Sequence, residues 1–247
     1  FAQLIKLGMA DVVVTTSASI EEDIIKSLGD EFEVSDFNAN DIAMHEKGEN
    51  RVGNLLIRNE SYMKFEDKIQ EFLKRIYEKK KRWDVSDFLH ELGLMVDDSN
   101  SILYQAAVKN VPIFCPGIAD SSIGFHLFMF QQKNPDFVID VISDVKNVIF
   151  ASNYDEKKGL ISLGGSISKH YAIFSGLMNG GFDYVVYLTT SHASSGSMSG
   201  ATTKEAMSWG KIKDSASGAT VNGDVTITFP LVMGRALDKL KKMEILK

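Results

Sequence analysis

Glu205, Trp209 and Lys211 have the types and the spacing for work on a cationic amine, within the run Glu205-Ala206-Met207-Ser208-Trp209-Gly210-Lys211-Ile212. A carboxylate and an aromatic face together hold an ammonium group. A lysine beside them can form an imine once burial lowers its pKa. Singly, each has an ordinary reading too: a surface acid, a core indole, a solvated lysine. His170 closes the run Leu163-Gly164-Gly165-Ser166-Ile167-Ser168-Lys169-His170, and the pattern puts it in the first turn of a helix. A lone histidine there is either a hydrogen-bonded structural residue or a proton carrier.

Three further stretches have the chemistry of an anion cradle. Gly164-Gly165 stands between an apolar run and a helical one, where backbone can approach a pyrophosphate. The spacing is not GxGxxG, so the dinucleotide fingerprint is absent, and glycines at a strand end also serve as plain turns. Thr15-Thr16-Ser17-Ala18-Ser19 follows an apolar run and leads into the acids Glu21, Glu22 and Asp23. Small hydroxyl residues at a helix start suit a phosphate, and acids there also suit capping. Ser194-Ser195-Gly196-Ser197-Met198-Ser199-Gly200-Ala201 reads as a flexible loop or a phosphate nest.

These residues must be positioned by alternating strands and helices. Asp11–Thr16, Val111–Cys115, Phe137–Val141, Gly159–Gly164, Asp183–Thr189 and Val225–Phe229 read as strands. Helical spacing covers Ile20–Leu28, Ser101–Lys109, Ile123–Gln132, Ile167–Asn179 and the C-terminus from Leu231. A long charged helix is predicted over 62–82, ending in Lys79-Lys80-Lys81-Arg82. That run is read as a solvated helix end whose cations offset the dipole, with a docking patch as the other possibility. The pattern predicts an α/β fold, Rossmann-like, with a mainly parallel sheet and helices on both faces. Ligands of such sheets sit at the carboxyl ends of strands, and every motif above is expected there.

Bulk properties narrow the rest. The 247 residues, 44% hydrophobic and 24% charged, predict one globular domain over 1–247 with an ample core. A net charge of −6 argues against a nucleic-acid partner and would suit a basic protein. Cys115 stands alone, which points to a reducing, cytoplasmic setting. No metal-ligand spacing, hydrolase elbow, signal peptide or membrane-length apolar run is present. The chain begins at Phe1 without a methionine and enters an apolar strand almost at once, so further residues are expected to precede it.

Together the strings are far more specific than any one alone. VVVTTSASIEEDIIK, RVGNLLIRNESYMKFED, NSILYQAAVKNVPIFCPGIADSSIG, LISLGGSISKH and EAMSWGKIK with TFPLV behind it resemble the deoxyhypusine synthase family over essentially the whole chain. The resemblance implies NAD-dependent transfer of the aminobutyl group of spermidine, or a related polyamine, to a lysine of the hypusine-bearing translation factor. It also implies a homotetramer. Lys211 matches the imine-forming lysine and His170 the proton-handling histidine, while Glu205, Trp209 and Asp120 match the amine site. Thr16, Ser17, Ala18, Glu22, Asp120, Gly164, Gly165, Thr190, Ser191, Gly196, Ser197, Ser199 and Asp224 match cofactor-contacting positions.

The chain departs from the pattern at four places. Phe125 and Met198 stand where some members carry polyamine-binding acids. Ser195 replaces an aspartate, and Phe174 replaces an asparagine one turn after the histidine. Each lost charge-assisted contact costs about 1.5–3 kcal/mol, roughly 10–100-fold in affinity. Two further readings follow: aminobutyl transfer to a small amine, as in homospermidine-type reactions, or a non-catalytic paralogue that pairs with an active subunit.

Overall fold

The computed structural model describes residues 1–246 and forms two compact units, Phe1–Val141 and a second beginning at Ile142. The sequence predicts one domain, and these units subdivide it.

The first unit opens with α1 (Ala2–Lys6), where the sequence suggested near-immediate entry into a strand. It continues through β1 (Val13–Val14), α2 (Ser17–Ser27), β2 (Glu33–Val34), α3 (Asp41–Glu46), β3 (Glu49–Val52), β4 (Leu55–Arg58) and α4 (Asn59–Lys79). β5 (Arg82–Asp84), α5 (Val85–Met95), α6 (Ile102–Lys109), β6 (Ile113–Phe114), α7 (Ser122–Gln131) and β7 (Val138–Asp140) complete it. β1 pairs with β6 and β5 with β7, both parallel. β2, β4 and β3 make a small antiparallel sheet that the periodicity does not announce.

Helix α4 shows why this unit holds together. Phe65, Ile69, Phe72, Leu73 and Ile76 recur at helical spacing and are at most 2% exposed, so they form one apolar stripe. They join Ile20, Ile24 and Ile25 of α2 and Phe88, Leu89 and Leu92 of α5 in a single core. The helix stops at Lys79, short of the predicted end. Its basic run is neutralised: Lys79 pairs with Glu91, Lys80 with Asp87 and Arg82 with Asp140, while Lys81 donates to the Tyr77 carbonyl. The solvated-end reading fits these pairings better than a docking patch.

The second unit runs α8 (Ser143–Ile149), β8 (Gly159–Leu163), α9 (Ser166–Met178), β9 (Phe182–Thr189), a single 3-10 turn (Ala193–Ser195), α10 (Thr203–Ser208), β10 (Ile212–Asn222) and α11 (Val225–Lys242). The sheet order is β10-β9-β8, all parallel. Val185, Tyr187, Phe182, Ala206 and Ile212 form its core. The strand predicted at Val225–Phe229 is instead the start of α11. Asp224 caps that helix by accepting from the Thr226 amide at 2.8 Å, which commits the β-branched run behind it to helical geometry. The third strand is β10, whose small polar residues hide it from a hydrophobic reading. Three of the four sheets among the described residues are parallel, and helices alternate with their strands, as the α/β, Rossmann-like reading expected. No helix among the described residues is long and apolar enough to cross a membrane.

Candidate functional site

In the second unit the predicted residues fall at two opposite ends of the sheet. At the carboxyl end, the Gly164 amide donates to Leu188 O at 2.8 Å and the Gly223 amide to Thr189 O at 3.0 Å. These bonds tie together the ends of β8, β9 and β10, bringing Gly164, Gly165, Thr190, Ser191 and Asp224 to one edge. Lys211 precedes β10 and so stands at the amino end, since Ile212 is registered with Phe182 and Asn222 with Thr189. The expectation that every motif follows a strand is therefore corrected for the Glu205–Lys211 run. Helix α9 links the two ends. From Gly165 to Gly176 its rise is roughly 16 Å.

The carboxyl-end cluster is built around Ser199. A Cβ added to Gly165 would lie 2.3 Å from Ser199 Oγ, so only glycine lets the loop dock there. Ser199 Oγ accepts from the Ser166 amide at 3.0 Å. The loop folds on its own hydroxyls: Ser195 Oγ accepts from Ser197 N, and Ser197 Oγ from Ser199 N, each at 3.3 Å. Gly164 and Gly196 both have positive φ, and a Cβ on either would meet nothing within 4 Å. Their backbone thus borders open space beside the start of the 13-residue helix α9. Ser168 Oγ, in the first turn, is buried without a hydrogen-bond partner. Open glycine backbone beside a helix N-terminus is a setting that suits a phosphate. Asp224 is partly committed, because its bonds to Thr226 hold its carboxyl below the usual range.

At the amino end, Lys211 is only 7% exposed. Its Nζ sits 5.2 Å from the Trp209 ring centroid and has no hydrogen-bond or ion-pair partner among the described residues. Trp209 itself is 66% exposed, so its ring is open to a ligand. Thr202 caps α10 by accepting from the Glu205 amide at 3.3 Å, one half of a capping box. The reciprocal bond from the Glu205 carboxylate is not made, which leaves that exposed acid free for an amine. His170 is exposed and is the fifth residue of α9, one position beyond the expected first turn because the helix begins at Ser166.

Lys169, which the sequence reading passed over, is another buried lysine of this unit, at 3% exposure; the third, Lys158, donates to the carbonyls of Asn153, Tyr154 and Glu156. Its Nζ donates to Ala201 O at 2.9 Å and Ser199 O at 3.4 Å and lies 4.0 Å over the Tyr187 ring. Burial lowers its pKa, with Glu205 opposing. A lowered pKa alone would nominate Lys169 as a nucleophile, yet its ammonium is fully engaged. Lys211 is the lysine left uncommitted.

The first unit gathers a second set. Ser17 Oγ lies 3.2 Å from Asp120 O and 3.3 Å from Gly117 O, so this hydroxyl serves the turn that carries Asp120. Thr16 caps α2 without a side-chain bond, its hydroxyl 3.3 Å from Ser19 Oγ, and Ala18 is exposed. The three acids divide their tasks. Glu21 accepts from the Ser122 amide at the start of α7 at 2.9 Å. Asp23 accepts from Ser101 Oγ, Ile102 N and Leu103 N at the start of α6. Glu22 makes neither contact, and burial raises its pKa. The acids that open α2 therefore cap two other helices, a role nothing in their spacing discloses.

Of the departures, Phe125 is 58% exposed on α7, edge-on to His126. Ser195 is spent on the loop, and Phe174 is half-buried. No group of three or more His, Cys, Asp or Glu among the described residues is arranged to hold a metal.

Comparison with known proteins adds four findings. The family model described as deoxyhypusine synthase matches residues 1–236. The chain is 38% identical over 235 residues to the probable deoxyhypusine synthase of Thermoplasma acidophilum, covering 94% of this chain and 74% of that protein. It is 40% identical over 236 residues to the deoxyhypusine synthase of Arabidopsis thaliana, covering 93% and 64%. A crystal structure of a candidate deoxyhypusine synthase from Entamoeba histolytica superposes with a TM-score of 0.67 at 23% identity, covering 94% of this chain and 67% of that one. This last likeness is one of fold.

Proposed function

The chain belongs to the deoxyhypusine synthase family, and from that premise we propose that it transfers the aminobutyl group of spermidine, or a related polyamine, to a lysine of the hypusine-bearing translation factor. The chemistry that NAD would supply when bound is removal of a hydride from the aminobutyl carbon, which makes that carbon electrophilic, and return of that hydride at the end to the imine on the acceptor lysine, so that the transfer is redox-neutral. Lys211 Nζ then adds to it, and the carbon–nitrogen bond to 1,3-diaminopropane breaks as that amine leaves. The aminobutyl group stays as an imine on Lys211 until the acceptor lysine displaces it. Glu205 and the Trp209 face hold the cationic amine, and His170 moves protons at the leaving and entering nitrogens. In the first unit, Asp120 is the residue proposed to contact an amine.

The cofactor positions proposed in the second unit are Gly164, Gly165, Thr190, Ser191, Gly196, Ser197, Ser199 and Asp224. In the first unit they are Thr16, Ser17, Ala18, Glu22 and Asp120. A homotetramer in the cytoplasm belongs to the same proposal, with sedimentation equilibrium as its check.

The observation that carries this reading is the state of Lys211: buried, beside an aromatic face, and without a partner for its ammonium. Such a lysine is available as a nucleophile. The test incubates the protein with NAD, labelled spermidine and its cognate translation factor, alongside Lys211→Ala. Label on the factor, abolished in the variant, supports the proposal. Release of diaminopropane with label only on small amines replaces it with the small-amine reading. NAD binding without NADH or label makes this a subunit that needs an active partner.

A further inference from the structure

We propose that Lys169 is a positioning residue that latches the loop 190–202 onto α9 and thereby sets the cofactor end of the second unit, an inference that rests on the cofactor reading above. The loop carries Thr190, Ser191, Gly196, Ser197 and Ser199, five of the proposed cofactor positions. Its two ends meet at one carbonyl. Ser199 O lies 3.4 Å from Thr189 Oγ1, at the end of β9, and 3.4 Å from Lys169 Nζ, on α9. Lys169 also donates to Ala201 O, two residues along, at 2.9 Å. The Tyr187 ring supports the ammonium from below at 4.0 Å.

The choice of residue is informative. A methionine of similar length would fill this space without the cost of desolvating a charge. What the ammonium adds is direction: it aims two carbonyls inward, and so fixes where the Ser197 and Ser199 hydroxyls and the Gly196 backbone, which precede them, face. The same engagement removes Lys169 from the chemistry, because a nucleophile needs a free lone pair. Lys169 therefore acts through the loop, and Lys211 acts on the substrate. Burial lowers the pKa of Lys169, consistent with an ammonium held by dipoles and a ring rather than by a bonded carboxylate.

The test uses the full chain with Lys169→Met, Lys169→Gln and Lys169→Arg. Hydrogen exchange is followed by mass spectrometry without cofactor, and NAD affinity is measured directly. In Lys169→Met, exchange across 190–202 should rise at least tenfold while peptides of α4 and α5 stay unchanged. NAD affinity should fall at least tenfold, with turnover at saturating NAD reduced less than threefold. Lys169→Arg should restore most of both, a rescue that simple loss of packing does not predict. Unchanged loop exchange overturns the latch, and a loosened loop with unchanged NAD affinity overturns its role toward the cofactor. Loosening in a protein whose wild type binds no NAD supports the latch and overturns the cofactor reading instead. Should Lys169→Met not fold, Lys169→Gln carries the same outcomes.

Discussion

The carbonyl of Lys211 rests against Gly176 of α9: a Cβ there would come within 2.8 Å of Lys211 O and 2.6 Å of the Phe182 ring. The lysine proposed to carry the aminobutyl group is thus seated by the absence of a single carbon atom on the neighbouring helix. Gly176→Ala must displace either the helix or the start of β10. Overpacking of this kind costs about 1–3 kcal/mol. We expect Tm to fall by several degrees and the borohydride-trapped imine on Lys211 to fall at least tenfold, while NAD binding persists. Trapping at the wild-type level would mean that Lys211 is not seated by this contact.

Asp23 offers a test of the first unit alone. Its carboxylate receives Ser101 Oγ at 2.6 Å, Ile102 N at 2.9 Å and Leu103 N at 3.0 Å. Removing it strands two amides and a hydroxyl at the start of α6. Asp23→Ala should cost about 2–3 kcal/mol, read as a lower urea midpoint with unchanged slope. Asp23→Asn, which keeps acceptor capacity, should lose less.

The Asp183–Lys213 pair predicts an acid limb in stability. Lys213 at 2.7 Å and the Lys158 amide at 2.9 Å hold the Asp183 carboxyl below the usual carboxylate range. Its folded pKa lies under the unfolded value of about 3.9. The contribution is therefore complete above that value and is lost as pH falls through the folded one. Thermal melts between pH 5 and pH 2 should steepen below about pH 4, and Asp183→Asn should flatten that limb. Equal slopes in the two proteins would remove this pair from the account.

Tyr187 gives a prediction of opposite sign. It is fully buried in β9, burial pushes its phenol up to about 12, and its hydroxyl finds no hydrogen-bond partner among the described residues. An unsatisfied buried hydroxyl costs about 1–3 kcal/mol. Tyr187→Phe keeps the ring beneath Lys169 and removes that cost, so Tm should rise by about 2–4 °C for each kcal/mol recovered. A drop in Tm would show that the hydroxyl has a partner in solution, such as a bound water.

Much of this was legible beforehand because apolar runs mark buried strands. β1, β6, β8 and β9, together with α2, α6, α7 and α9, fall where hydrophobic spacing put them. β10 escaped because Asp214, Ser215, Ala216, Ser217, Gly218 and Ala219 contribute little apolar signal; its pairing with β9 comes from the sheet and not from its own propensity. The Val225–Phe229 run erred the other way. β-branched residues look strand-like, but a capping aspartate and the apolar side of a helix decided the matter. At the candidate site, residue types disclosed Glu205, Trp209 and Lys211. They could not disclose that Lys211 stands at the sheet end opposite to Gly164, or that Lys169 rather than Lys211 would be the lysine bound to carbonyls of the Ser199 loop. Those facts belong to register and tertiary contact, which no local window contains.

Helix α9 touches the Ser199 loop at Gly165 and the Lys211 carbonyl at Gly176. Adding or removing one residue between them would shift the far contact by about 1.5 Å and swing it by about 100°, turning Gly176 away and presenting a bulkier neighbour to the strand. The interval between these two glycines should therefore tolerate substitution far better than insertion or deletion. Any change in its length that keeps both contacts must come close to whole turns.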